Sequence, residues 1–463
     1  MAEIPHLGER LHQFAERFRP AMRSKTHDTS HYGVAYLSGL LRLQETRTYT
    51  AISREQGLPM QNVQQFMSDS PWSGATVIKQ VQAEVSVHPN FQAAVLVLDE
   101  SADEKGGEIS VGAKRQYNGR RGKVDLCQVG VFAALVTPQA WLWVDGELYL
   151  PESWFASDQA DLRQRVGLPD DHAFQTKPEL AWQVVQRLRQ RGMPFCAVAM
   201  DDLYGRNVQL CQQLDEAGIE YYGDIPANTI VYLDCPRLEK RQSKRGKPAK
   251  RNRVVAQQRY AVRHLVNHTQ IEWLTLTLRP TARGHLTDRW GRCRVWLVEG
   301  ERRYQRWLLI RDTGRQLTFS LSNAPVKTDL QTMAWRKAHR VFIECSNQNC
   351  KSDLGWDELQ AVKYRAWQHQ LALTILASWF VAETRLDWQN RLAQDPALLV
   401  QYETELLPLL SVSNVRTLLR AALPLRQLSP EEATALVIEQ LGNRARSRQS
   451  RLNKANPPET VTA

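Results

Sequence analysis

The stretch AAVLVLD, residues 93–99, decides the fold. A continuous apolar run of this kind has the form of a strand buried on both faces, and such strands belong to sheets covered by helices. The run ends in an acid. A second stretch of the same form, FCAVAMD, spans residues 195–201. Between them, LCQVGVFAALV (126–136) and AWLWVDGELYL (140–150) are rich in β-branched and aromatic residues and are predicted as strands. PELAWQVVQRLRQRG (178–192) reads as an amphipathic helix closed by Gly192. Three strands, a crossover helix and a fourth strand predict an α/β fold with a mixed sheet and flanking helices. Asp99 and Asp201 then fall at strand ends on one edge.

Downstream, HRVFIECSNQNCK (339–351) spaces Arg340, Glu344 and Lys351 along one face of a predicted helix. A solvated ion-pair stripe is the plain reading, but Phe342 and Ile343 make the helix a poor candidate for full exposure. An aspartate at a strand end commonly makes a turn, and a helix glutamate near an arginine commonly makes an ion pair. The order of strand acid, strand acid and helix acid is more specific than any one of them. Three carboxylates brought together without a cation repel, and one is driven to its neutral form. A divalent ion removes that conflict, and hard oxygen donors suit Mg²⁺ or Mn²⁺. Two such ions, about 3.5–4 Å apart, serve phosphodiester chemistry by activating the attacking oxygen and stabilising the leaving one.

Length, charge and cysteine usage bound the class. At 463 residues the chain has room for about three domains. No run of eighteen apolar residues marks a membrane span. The N-terminus lacks the order of a signal peptide, and the seven scattered cysteines suit a reducing compartment, so a cytoplasmic protein is expected. Cys345 and Cys350 form the only close pair, with no second Cys/His pair nearby to complete a zinc site. The net charge of +11 points to a polyanionic partner. KRQSKRGKPAKRNR (240–253) holds eight Lys/Arg, including Lys244, Arg245, Lys247, Lys250 and Arg251, and RARSRQSRLNK (444–454) holds five with no acid. Both read as solvated segments able to contact DNA.

The chain divides by pattern into five segments. Residues 1–88 are helical. Within 48–73, Ile52 and Ser53 lead to Gly57, then Val63 and Phe66, which is the spacing of a helix-turn-helix or of any two helices packed across a glycine turn. Residues 89–235 hold the first part of the sheet domain. Residues 236–327 form a basic linker and a β-rich insertion. Residues 328–392 return to helix and carry Glu344. Residues 393–463 are expected to be helical and then, past 443, disordered.

The chain resembles the DDE transposases of bacterial insertion sequences, in the group marked by a Tyr-x2-Arg-x3-Glu-x6-Lys signature. Arg340, Glu344 and Lys351 match three of its four positions, and Lys337 stands where the group carries tyrosine. VLDES (97–101), SVGAKRQYNGRRGKVDLCQVGVFAAL (110–135), DDLYG (201–205) and SDSPWS (68–73) extend the resemblance over roughly residues 30–380. It implies an RNase H-like nucleotidyl transferase core with a β-rich insertion before the catalytic helix and a helical DNA-binding region in front. It also implies Asp99, Asp201 and Glu344 as catalytic metal ligands for two Mg²⁺ or Mn²⁺ ions, with Arg340 and Lys351 on DNA phosphates. Asp201 is preferred to Asp202 because it comes first in the D-x-x-Y-G pattern. Trp296 and Trp307 are candidates to stack on an unpaired base, against a role in core packing. The partners implied are double-stranded DNA, as terminal inverted repeats and target, and a second copy of the chain in a synaptic dimer. Two alternatives remain: a metal-dependent nuclease without strand transfer, and a silent DNA-binding regulator derived from a transposase. The latter expects one acid to be lost, and all three are present.

Overall fold

The computed structural model describes residues 6–24, 27–119, 121–240, 252–255, 257–281, 284–404, 407 and 410–455. Two units result, Met1–Ala422 and Leu423–Ala463. The first is organised by one ten-stranded mixed sheet. Its strands are β1 (Ala94–Glu104), β2 (Lys114–Asn118), β3 (Lys123–Val136), β4 (Trp141–Tyr149), β5 (Phe195–Met200), β6 (Tyr221–Ile225), β7 (Glu272–Thr281), β8 (Gly284–Glu299), β9 (Arg302–Asp312) and β10 (Leu317–Ser322). The order is β7-β8-β9-β10-β6-β5-β1-β3-β2, with β4 also beside β3.

Its centre is an RNase H-like core. The strands β1, β3 and β4 pair antiparallel, and β5 and β6 add in parallel on the other side of β1. Ala94–Leu98 and Ala197–Met200 are wholly buried, which explains the unbroken apolar runs read from the sequence. One expectation is corrected here. The strand β1 does not end at Asp99 but continues to Glu104, because β3 keeps pairing with it as far as Glu104↔Cys127.

The β-rich segment before the Glu344 helix is continuous with this sheet, joined by β10 pairing with β6. A buried cluster lies on each face of its inner strands. Leu276, Trp290, Trp307 and Leu309 pack with Met333 and Ala334, while Cys293, Val295, Leu308 and Ile310 pack with Val231, Val262 and Leu265. Short ribbons, Ile230–Val231 with Tyr260–Ala261 and Arg237–Lys240 with Asn252–Val255, flank the basic run.

Helices Tyr49–Gln56 and Met60–Ser68 flank a turn at Gly57, whose φ of 65° is the left-handed conformation that glycine adopts without strain. Ile52, Val63 and Phe66 are buried between them and their neighbours. The 29-residue helix Tyr364–Leu392 is buried around most of its circumference and packs on helix Gly74–Val87 and on β4. Among the described residues, no helix is long and apolar enough to cross a membrane.

In the second unit, helix Pro430–Ala455 runs through the segment expected to be disordered past residue 443. Composition explains the difference: between Asn443 and Ala455 there is no Gly or Pro, and Arg, Ala, Leu, Gln and Lys all favour helix. A basic composition lowered the expectation of order but does not oppose helix formation.

Candidate active site

The last register pair between β1 and β5 is Leu98↔Met200, so Asp99 and Asp201 follow it side by side at the carboxyl end of two adjacent parallel strands. The strand β5 stops there because Asp201 caps the short helix Asp202–Gly205, its Oδ1 accepting from the Leu203 amide at 3.0 Å and the Tyr204 amide at 3.4 Å. This turn lies directly against β6. A Cβ on Gly205 would stand 2.2 Å from the carbonyl oxygen of Asp224, so only glycine fits the last position of the D-x-x-Y-G pattern.

Asp99 is held from two directions. Its Oδ1 accepts from the Glu100 amide at 2.9 Å, and its Oδ2 accepts from Asn347 Nδ2 at 3.3 Å. Asn347 is fixed in turn by Trp143, whose Nε1 donates to Asn347 Oδ1 at 2.8 Å, and Trp143 stacks on Phe132 at 4.0 Å. A buried aromatic pair thereby orients the amide that orients the carboxylate. Burial, reinforced by the Asp201 charge, pushes Asp99 up to about 7. Burial and the Glu100 charge push Asp201 up to about 6, and Arg340 pulls both down.

Glu344 lies on helix Val341–Gln348 and lines the same cleft as Asp99 and Asp201. Its side chain is 63% exposed, 3.7 Å from Arg340. Arg340 is held at its other end by Asp224, at 3.1 Å. Asp224 also takes Lys337 at 2.8 Å and the Ser320 hydroxyl at 2.7 Å. Burial alone would raise the Asp224 pKa, but these cations and the hydroxyl outweigh it and hold the carboxyl below its usual range. Lys337, in the signature tyrosine position, is thus a buried counter-ion that ties its helix to β6.

Other candidate residues fall elsewhere. Lys351 touches the cleft, but its ammonium is committed: it pairs with Asp103 at 3.0 Å, donates to the Ala102 carbonyl at 2.6 Å, and its side chain is only 6% exposed. It fastens the π-helical turn Asn349–Asp353 to β1, where the sequence reading aimed it at a phosphate. Trp307 is buried in the sheet core with the Arg292 and Arg294 guanidiniums 4.7 and 4.9 Å from its ring, so no base can reach its face. That corrects the stacking expectation for Trp307: alternation along β9 turns its ring toward helix Leu330–Ala338. Trp296 is half-buried. Lys244, Arg245, Lys247, Lys250 and Arg251 lie outside the described residues.

Several site residues were missed. Carboxylate oxygens of Asp99, Glu100 and Asp201 all lie within 4.8 Å of one another, and Glu344 is not part of that group. Glu100 escaped notice because strand alternation assigns it to the face opposite Asp99. Asn347 was legible, three residues after Glu344 on a helix. Lys177 and Arg206, from separate elements, also line the cleft. The donor set fits a hard divalent ion: it is all oxygen, with Glu100 Oε2 buried and the Tyr204 hydroxyl beside Glu100.

An RNase H-like sheet with carboxylates gathered where two parallel strands end defines the nuclease and transposase kind of enzyme. The comparisons with known proteins agree. The pattern of the DDE superfamily endonuclease family matches residues 14–285, more than half of the 463, and the chain belongs to that family. The matched span includes Asp99, Glu100 and Asp201 and stops before Glu344. A relative from Microchaete diplosiphon, described as a probable transposase for insertion sequence element IS701, is 28% identical over 209 residues. The match covers 43% of this chain and 49% of the relative, so the chain spans about half the length of that protein.

Proposed function

We propose that the chain is a DNA transposase that hydrolyses DNA at the ends of an insertion sequence and joins the freed 3′-OH to a target. The observation that supports this best is the convergence of Asp99 and Asp201 in one cleft with Glu344 and Arg340. Asp99 and Asp201 would hold Mg²⁺ or Mn²⁺, with Glu344 available from the helix side. Such an ion would make an attacking water or 3′-OH more nucleophilic and offset charge on the departing oxygen.

The chain's own residues do the remaining work. Asn347 orients the Asp99 carboxylate, and Asp201 is fixed by the turn it caps. Arg340, anchored on Asp224, presents a cation at the cleft where negative charge builds on a transferring phosphoryl group. The helix pair at 49–68 and the basic segments are assigned to holding double-stranded DNA as terminal repeats and target. A homodimer pairs two ends in one synaptic complex.

The test is incubation of the chain and Mg²⁺ with DNA carrying the native element ends and a target plasmid. End cleavage and joined product are expected from wild type, and neither from Glu344→Gln. Cleavage without any joined product would favour the nuclease reading. Cleavage by Glu344→Gln at the wild-type rate would remove Glu344 from the site.

A further inference from the structure

We propose that Glu100 is a metal ligand of this site, and that Asp99, Glu100 and Asp201 hold a first divalent ion without Glu344. The inference rests on the metal-dependent reading above and specifies which carboxylates carry it.

Strand alternation should point Glu100 away from Asp99, yet their carboxylate oxygens lie within 4.8 Å of each other and of Asp201. The reason is where β5 ends. Beyond Leu98↔Met200 no further pair joins β5 to β1, and the chain of β5 turns into helix Asp202–Gly205, which leaves room for side chains from both faces of β1. Asp99 turns along the strand toward the Glu100 amide, and Glu100 reaches in from the other face.

The two oxygens of Glu100 are used differently. Oε1 takes Lys177 Nζ at 3.2 Å, whereas Oε2 is buried, with the buried Tyr204 hydroxyl beside Glu100 as a neutral donor. A buried carboxylate is costly unless a cation balances its charge. One neutral hydroxyl cannot offset the charge of three carboxylates whose oxygens lie within 4.8 Å of one another, and a divalent ion is the fitting partner. Lys177 pairs with Glu100 from the start of helix Lys177–Gln190, behind the Thr176 and Glu179 capping box. It offsets part of the negative charge and so competes with the ion. Glu344, mostly exposed and beside Arg340, stands outside the preassembled set.

The test is Mn²⁺ titration of the full chain near pH 8, with free Mn²⁺ read by electron paramagnetic resonance. Glu100→Gln, nearly isosteric, is expected to weaken the tightest site about tenfold or more, a loss typical when the groups supporting a metal are removed. Glu344→Gln is expected to leave that site unchanged. Lys177→Met is expected to tighten it, an outcome of opposite sign to the loss that a merely structural Glu100–Lys177 pair would produce. If Asp201→Asn abolishes binding while Glu100→Gln binds as wild type, Glu100 is only a partner for Lys177 and the proposal is overturned. If wild type binds no Mn²⁺ at all, the metal-dependent reading itself falls and takes this proposal with it.

Discussion

Lys337 Nζ stands 2.8 Å from Asp224 in a buried ion pair, and Asp224 is the same carboxylate that anchors Arg340. The side chain replacing the signature tyrosine therefore acts on the site through Asp224. Removing one member of such a pair leaves the other buried and partly uncompensated.

Lys337→Met should accordingly destabilise the protein by about 3 kcal/mol, the lower end for breaking a buried pair, since Arg340 and Ser320 still serve Asp224. The pair Lys337→Met with Asp224→Asn should be less than additive. Urea midpoints of the four proteins measure this, and additive losses would mean that the pair is not coupled.

Asn347→Leu removes the donor to Asp99 Oδ2 and the acceptor for Trp143 Nε1. Cleavage should drop about 10–100-fold with the fold retained, as expected for a group that orients a metal ligand. A cleavage assay beside a circular dichroism melt separates this from unfolding. Wild-type turnover would deny Asn347 its positioning role.

Asp99 and Asp201 carry pKa values raised to about 7 and about 6, chiefly by burial. The native state then binds more protons than the unfolded chain, whose aspartates titrate near 3.8. By linkage these two groups contribute stability that is present below about pH 4 and lost as pH rises toward about 7. The contribution is isolated by comparing wild type with Asp99→Asn, whose melting temperature should gain on wild type across that window when metal is absent. Added Mn²⁺ requires the ionised carboxylates, so its stabilisation of wild type should grow over the same range. A wild-type difference that is flat with pH would contradict the raised values.

Arg444, Arg446, Arg448 and Arg451 are exposed on helix Pro430–Ala455. Replacing all four with Gln preserves helix propensity and removes four charges. DNA affinity should fall alike for specific and random sequences, and the slope of log K against log salt should shrink by up to about 3.6, at about 0.9 per phosphate contact. An unchanged slope would mean that this helix stays clear of DNA.

The two central core strands were legible because a strand buried on both faces is apolar throughout, as AAVLVLD and FCAVAMD are. The glycine turn between helices 49–56 and 60–68 was legible because φ of 65° at Gly57 is strained for most residues that carry a Cβ. Pairings between distant segments were harder. Lys351 had the spacing of a phosphate contact, and only the nearness of Asp103 on β1 commits it elsewhere. Trp307 and Trp296 looked alike, and the packing of helix Leu330–Ala338 over one sheet face buries Trp307.

By itself the sequence pointed to the mixed sheet, offered Asp99, Asp201 and Glu344 as candidates, and carried the resemblance to DDE enzymes. These depend on periodicity and on residue type at fixed spacing, which covalent geometry carries. The tertiary structure alone decided that Glu100 joins Asp99 and Asp201 while Glu344 stands apart with Arg340. The physical reason is that β5 stops at Met200 while β1 runs on, opening one edge into which carboxylates from both faces can turn. Where one strand outlasts its neighbour is set by pairing and capping across the fold, and alternation along a single strand carries no record of it.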